Sequence, residues 1–460
     1  MTVQKQMEHA VDSPLTQGRL TRTEILSILK KENIQFLRLM FTDISGISKN
    51  VEVPKSMFEK ALDGQCLFDG SSIEGFTRIE ESDMILVPDL DTFRVFPWND
   101  ENLGRNARII CDVHAADGRA FEGCPRGTLK RQVARASEIG YQMMAGIEAE
   151  FFLFERDGVS PTTRTHDNGG YFDLAPVDRG EPCRRAICNA LHALGFEVEA
   201  SHHEVAAGQH EIDFRYGDAL SVADNLMTFR LVVRKISADF GLHATFMPKP
   251  VYGINGSGMH THQSLFDSKG KNTFFDPKAE RQLSTIALSY IAGLLSHAKG
   301  LCALTNPIVN SYKRLVPGYE APTHIAWSEK NRSPLCRIPA RRGLGTRVEL
   351  RMPDPACNPY LALTGMLAAG LDGVQSKKEP PAPVDKNLYT MSQRDRAKYK
   401  VESLPGNLAE AVDALEKDKV LCDALGAHIV EKLTSEKRAE WSEYIAQVHA
   451  WEIDRYLSRF

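Results

Sequence analysis

The stretch Gly146-Ile147-Glu148-Ala149-Glu150-Phe151-Phe152-Leu153-Phe154 joins two glutamates at i and i+2 to a purely apolar run. Side chains alternate along a strand, so both carboxylates fall on one face. The apolar run marks the strand as buried. Two like charges at the mouth of a buried strand repel one another unless a cation sits between them. A solvated edge strand would also carry such a pair; the run Phe151–Phe154 favours the metal reading.

Around this strand, helical and extended patterns alternate irregularly, which gives an α+β class. Upstream, a Thr-capped helical pattern covers Thr21–Lys31. Strands at Ile34–Phe41 and Ser48–Val53 flank the hairpin signal Thr42–Gly46, and further strands are expected at Met84–Pro88 and Ala107–Val113. These make a small mixed domain, 21–120. Downstream, in 121–460, a helix Pro125–Ile139 leads into the glutamate strand. Helical spacing recurs at Ala219–Phe240 and Ile286–Ala298, and from Asn407 onward. Leu361–Leu371 is apolar enough to be buried all round. Extended segments are expected at Glu211–Tyr216 and Arg347–Met352. Residues 1–20 are polar and aperiodic, as in a flexible extension.

The chain has 460 residues, 42% hydrophobic and 25% charged, with a net charge of −4. That suits two domains with a sizeable core and gives no reason to expect nucleic-acid or membrane binding. No apolar run reaches membrane-spanning length and the first residues lack a signal core, so a cytoplasmic location is expected. Nine scattered cysteines without C-x-x-C read as reduced thiols.

Three further acidic or imidazole groups stand out. Glu204 and Glu211 bracket a small-residue loop suited to close approach of a ligand. Asn255-Gly256-Ser257-Gly258-Met259-His260-Thr261-His262 places two histidines on one strand face beside a Gly-rich loop. In Arg347-Val348-Glu349-Leu350-Arg351, Glu349 and Arg351 share a face; by itself this reads as a half-buried strand with a surface ion pair. Asn310–Pro322 mixes cations with turn residues, as ordered functional loops do. Arg332 and Arg337 are spaced to clamp an anion, though a solvated basic surface looks the same. No phosphate-binding G-x-x-x-x-G-K-[ST] loop and no strand–GxGxxG–helix unit is present, so any nucleotide is held by other means.

Taken in order, Phe68-Asp69-Gly70-Ser71-Ser72-Ile73, Glu148-Ala149-Glu150, Asn255–His260, Asn310–Pro322 and Arg347–Pro355 resemble the signatures of type I glutamine synthetases, over nearly all of the chain after residue 20. The resemblance implies an N-terminal β-grasp domain and a large catalytic domain with a curved antiparallel sheet, a distorted barrel, flanked by helices. It implies ATP-dependent joining of glutamate and ammonia through a γ-glutamyl phosphate, two or more Mg2+ or Mn2+ ions per site, and a homo-oligomer of two hexameric rings. One metal would be held by Glu150, Glu204 and Glu211, the other by Glu148, His260 and Glu349. Glutamate would be held by Asn255, Gly256, Arg314, Glu320 and Arg351. Nucleotide and phosphate contacts would come from Tyr216, His262, Ser264, Arg332, Arg337 and Arg347. Asp69, Ser72 and Tyr171 match the ammonium region. Asp69 is the expected base, reaching a neighbouring subunit's site, and Glu320 the gate that excludes water.

The segment between Glu155 and Tyr171 is short, and the residues after Tyr389 depart from the pattern of an adenylylation site. The resemblance is therefore to the shorter, feedback-inhibited, non-adenylylated branch, in which Arg78 matches an arginine tied to glutamine inhibition. It leaves room for a regulatory protein partner. A γ-glutamyl-amine ligase of the same superfamily would share everything but the ammonium pocket, and a catalytically silent relative would have lost metal ligands.

Overall fold

The computed structural model describes residues 20–73, 75, 83–100 and 104–460. Arg78 and nearly all of the expected N-terminal extension lie outside the described residues.

The first described element is the helix Arg22–Lys31. Thr21 caps it: its side chain accepts from Glu24 N while Glu24 reaches back to the Thr21 backbone. A reciprocal cap of this kind contributes about 1 kcal/mol. A five-stranded sheet follows, built from β1 (Ile34–Thr42), β2 (Ser48–Pro54), β3 (Cys66–Asp69), β4 (Asp83–Asp100) and β5 (Gly104–Ala115), in the order β2-β1-β5-β4-β3. The expected β1–β2 hairpin forms, with Thr42 opposite Ser48. β1 and β5 run parallel, while β4 pairs antiparallel with β5. Strand β4 is much longer than the Met84–Pro88 expectation, because Val95, Phe96 and Trp98 carry the extended pattern past Pro88.

The second sheet has ten strands: β6 (Gln142–Asp157), β7 (Ser160–Thr165), β8 (Val198–His203), β9 (Gln209–Phe214), β10 (Gly217–Asp218), β11 (Leu242–Thr245), β12 (Met259–Phe266), β14 (Trp327–Ser328), β15 (Cys336–Arg337) and β16 (Val348–Leu350). A small separate pair joins β13 (His324–Ile325) to β17 (Glu402–Ser403). The long sheet runs β14-β15-β16-β12-β6-β9-β8, with β7, β10 and β11 also on β6, and curves into a nearly closed, almost wholly antiparallel barrel. The glutamate strand β6 is thus its centre.

Helices pack against the outer side of the barrel. The helix Pro359–Gln375 is buried along nearly its whole length. It lies so close to the helix Thr285–Ser296 that a Cβ on Gly293 would meet the Ala369 carbonyl at 2.1 Å. Among the described residues no single helix is long and apolar enough to cross a membrane. All nine cysteines are free, and most are buried.

One arginine ties the two sheets' layers together. Arg126, at the start of the helix Pro125–Glu138, forks onto Asp224 with both contacts at 2.9 Å. It also reaches Asp89 on β4 at 2.7 Å and Asp112 on β5 at 2.8 Å. Tyr360 donates to the same Asp224 at 2.7 Å. Burial opposes the guanidinium's charge, but Asp224 and Asp112 outweigh it and raise its pKa.

Candidate active site

Register brings the carboxylates together. On β6, Glu150 stands opposite Glu211 of β9, and Glu148 opposite His260 of β12. His262 of β12 faces Glu349 of β16. Four strands therefore present one acidic face toward the barrel's interior, and two clusters form on it.

In the first cluster, Glu148, His260 and Glu349 hold their ligand atoms within 4.8 Å of one another. His260 Nδ1 lies 3.3 Å from Glu148 Oε2 and 4.0 Å from Glu349 Oε1. Burial disfavours charge on Glu148, but the imidazoles of His260 and His262 hold its carboxyl well below the usual range. Glu349 is fully buried rather than part of a surface ion pair. It is stabilised as an anion, against burial, by Arg351 and by Arg337, whose Nη1 lies 2.5 Å from Oε2. The local alternation of apolar and polar residues predicts which face Glu349 occupies; only the packed barrel shows that face to be interior.

In the second cluster, His202, Glu204 and Glu211 lie within the same span. His202 Nε2 is 3.2 Å from Glu211 and its Nδ1 is 3.8 Å from Glu204. Glu150 borders this group. Its Oε2 accepts from Gln209 Nε2 at 2.8 Å and from Gly258 N at 2.9 Å. Burial and then the charges of Glu150 and Glu211 push the Glu204 carboxyl up to about 8, and burial with Glu150 pushes Glu211 up as well. Such crowding is the signature of a site that wants a cation: the donors are mostly hard oxygens with one imidazole per cluster, which fits Mg2+ or Mn2+. His202 and Gln209 were not singled out in the sequence; the His202-His203 pair directly before Glu204 is the signal that marks them.

The other expected residues fall around this face. Arg314 is buried and donates to the carbonyls of Met352, Pro353 and Arg351. It packs so close to Gly258 that a Cβ there would meet its Nη2 at 2.6 Å. Gly256 offers its carbonyl to Gln209, and Asn255 precedes it in the loop leading into β12. His262 bonds Glu148 through Nε2 at 2.6 Å and receives Arg347 Nε at Nδ1, 3.1 Å away. Ser264 is buried on β12, and half-exposed Tyr216 packs beside Gly146. Arg332 is exposed and pairs with Tyr171, whose ring stacks on Phe172 and meets His202 edge-on. Arg337 is committed to Glu349 rather than standing free. Glu320 occupies a left-handed turn, φ 60°, in an exposed loop anchored by Lys249 over the Tyr319 ring and by Tyr389 OH on the Ala321 carbonyl.

Asp69 and Ser72 stand apart. Asp69 is exposed at the end of β3 and accepts from Ser71 N and Oγ, at 2.8 and 2.6 Å, which lowers its pKa. None of its contacts is to the acidic face.

Comparison with known proteins agrees with this geometry. Residues 33–116 match the family model described as glutamine synthetase, beta-Grasp domain, and residues 122–456 the model described as glutamine synthetase, catalytic domain. The glutamine synthetase of Thermus thermophilus is 61% identical over 445 residues, covering 96% of this chain and 99% of that protein. Among solved structures, a GmaS/ADP complex aligns with a TM-score of 0.86 at 34% identity, over 95% of this chain and 100% of that one. The Plasmodium falciparum glutamine synthetase aligns at 0.84 with 25% identity, over 95% and 99%. With both family models and this identity spanning nearly its whole length, the chain belongs to the glutamine synthetase family.

Proposed function

We propose that this chain joins ammonia to the γ-carboxylate of L-glutamate at the expense of ATP, releasing ADP and phosphate. The observation that carries it is the paired acidic clusters on one barrel face, bordered by buried Arg314 and Arg351, in a chain 61% identical to a glutamine synthetase.

A carboxylate is a poor electrophile, because its charge is delocalised and oxide does not leave. Its oxygen first attacks the γ-phosphorus of ATP, and ADP departs, leaving an acyl phosphate. The nitrogen of ammonia then attacks the acyl carbon, and phosphate leaves. Glu148, His260 and Glu349, and Glu150, Glu204 and Glu211, would hold divalent cations, which would supply the positive charge that lets two anions meet. Arg314, Arg351, Asn255 and Gly256 orient glutamate. Arg332, with Arg337, Arg347, His262, Ser264 and Tyr216, addresses phosphate and nucleotide. Arg337 holds Glu349 through Nη1, so one side chain links metal ligand and phosphate. Asp69, with Ser72 and Tyr171, takes the proton that ammonium must lose. Glu320 closes over the acyl phosphate and keeps water out.

Asp69 is exposed, and its side chain bonds only to the neighbouring Ser71 among the described residues, which suits service to a neighbouring subunit. Trp451, Leu457 and Phe460 leave an exposed apolar surface at the C-terminal helix, as packing between two stacked rings requires. The same reading takes a dodecamer in the cytoplasm, with room for a regulatory protein partner, and two domains meeting near residue 120. It takes the non-adenylylated branch, since the residues after Tyr389 depart from the pattern of an adenylylation site.

The alternative reading is a γ-glutamyl-amine ligase of the same superfamily, which would share every site residue but the ammonium pocket. An amine panel with ATP, glutamate and Mg2+, read as phosphate release, separates them. Ammonium should be preferred by orders of magnitude; faster turnover with an alkylamine or polyamine would overturn the assignment.

A further inference from the structure

Directly behind the Glu204–Glu211 cluster lies a layer of buried polar groups that the reaction does not use. It comprises Asp167, Asp178, His166, His203, His210 and Arg184. Asp167, Asp178, His203 and His210 lie close enough to hold a metal ion. The gap is already filled by protein charge: Arg184 Nη1 sits 2.9 Å from Asp178 Oδ2 and 2.9 Å from His210 Nδ1. A guanidinium there repels a second cation, so the layer reads as scaffold.

Strand geometry says what it supports. His203 and His210 face each other across β8 and β9, and His202 faces Glu211 one step along. Alternation therefore puts His203 and His210 on the buried face while Glu204 and Glu211, their immediate chain neighbours, open to the acidic face. Asp167 is the hub. Its Oδ1 accepts from Gly208 N at 2.9 Å, from Gly169 N at 3.4 Å and from His203 Nε2 at 3.2 Å. Its Oδ2 accepts from Arg179 N at 3.1 Å, with His166 Nε2 also 3.1 Å away. The other nitrogen of His203 bonds the Glu204 carbonyl at 2.7 Å. Gly208, at φ +68°, is pinned on its far side too, its carbonyl accepting from Leu153 N at 2.8 Å. A Cβ on Gly169 would meet His203 Nε2 at 2.6 Å, and one on Gly180 would meet His210 at 2.4 Å. The rings are thus wedged between glycines.

We infer that Asp167 is a positioning residue: through Gly208 and His203 it holds the 204–211 loop so that Glu204 and Glu211 stay converged despite their mutual repulsion. This rests on the reading of those two glutamates as metal ligands. The backbone N–H groups of Gly208, Gly169 and Arg179 all donate to Asp167, so asparagine at this position turns one acceptor into a donor facing N–H donors, with no change of size.

The test is Mn2+ binding to the full-length assembly, counted as free ion by electron paramagnetic resonance, with thermal melting in parallel. Asp167→Asn should weaken one of the two sites by about 10–100-fold and leave the Glu148–His260–Glu349 site unchanged. Asp178→Asn alters the same layer through Gly180 and Arg184 without touching the 204–208 loop. It should lower the melting temperature and spare Mn2+ affinity. Wild-type affinity at both sites in Asp167→Asn, or equal weakening in both variants, would overturn the inference. Glu204→Gln separates the two layers of reasoning. If it keeps both sites, the ligand reading fails and this inference with it; if it loses one while Asp167→Asn does not, only the inference fails.

Discussion

Replacing Arg126 by alanine would remove one guanidinium that serves three carboxylates and, through Asp224, the Tyr360 hydroxyl. Its side chain is 3% exposed, while Asp224, Asp112 and Asp89 are 9%, 13% and 25% exposed. Solvent rescues these groups unequally. Asp89 can rehydrate and Asp112 keeps Lys130 at 2.6 Å, but Asp224 is left with one neutral donor. Breaking a buried pair from one side costs about 3–5 kcal/mol, because a charge remains without its partner. Most of that cost belongs to Asp224. Melting entropy scales with length, so for 460 residues unfolding as one unit it is on the order of 1 kcal/mol per degree, and the drop in Tm is about 4 °C. Urea unfolding followed by tryptophan fluorescence and circular dichroism measures the same loss independently. Arg126→Lys keeps a point charge but not the fork, and should recover about half. In the double variant Arg126→Ala with Asp224→Ala the stranded carboxylate is gone, so the two losses should be clearly less than additive. A loss under about 1 kcal/mol for Arg126→Ala, or strict additivity, would refute the hub.

Metal-free protein should lose stability as pH rises from about 4.5 to 8. Glu204 at about 8 and Asp213 at about 7 hold protons in the folded state that the unfolded chain has already released. Each such group costs about 1.4 kcal/mol per pH unit inside its window, and nothing more above it. Mn2+ should flatten the curve; a Tm in chelator that is level or rising across that range contradicts the crowding. Glu320→Ala should hydrolyse ATP in excess of glutamine formed, and a strict one-to-one ratio would remove the gate. Asp69→Ala should raise the ammonium requirement at least tenfold with glutamate KM nearly unchanged; an unaltered ammonium dependence assigns the proton elsewhere.

Much was legible in the chain because it is local. A strand's alternation put Glu148 and Glu150 on one face, and the Thr cap at Thr21 marked a helix start that forms as read. The apolar stretch 361–371 announced a buried helix, now seen over Pro359–Gln375. The order of five motifs carried the family, since each is short but their succession is specific.

What the chain alone could not say is which strand faces which. Glu349 looked like half of a surface ion pair; it is buried because β16 closes against β12 in the barrel wall, and burial is a property of the neighbours rather than of the local pattern. His262 suggested a nucleotide contact, yet it also bonds Glu148, a meeting of β12 with β6 across more than a hundred residues. His166-Asp167 stands in no motif, and its tie to the 204–211 segment exists only because β7, β8 and β9 fold back on the same sheet. Local sequence sets each residue's face and propensity through backbone sterics over a few positions. Convergence of carboxylates from β6, β9, β16 and the loop after β8 depends on strand register, which long-range packing alone decides.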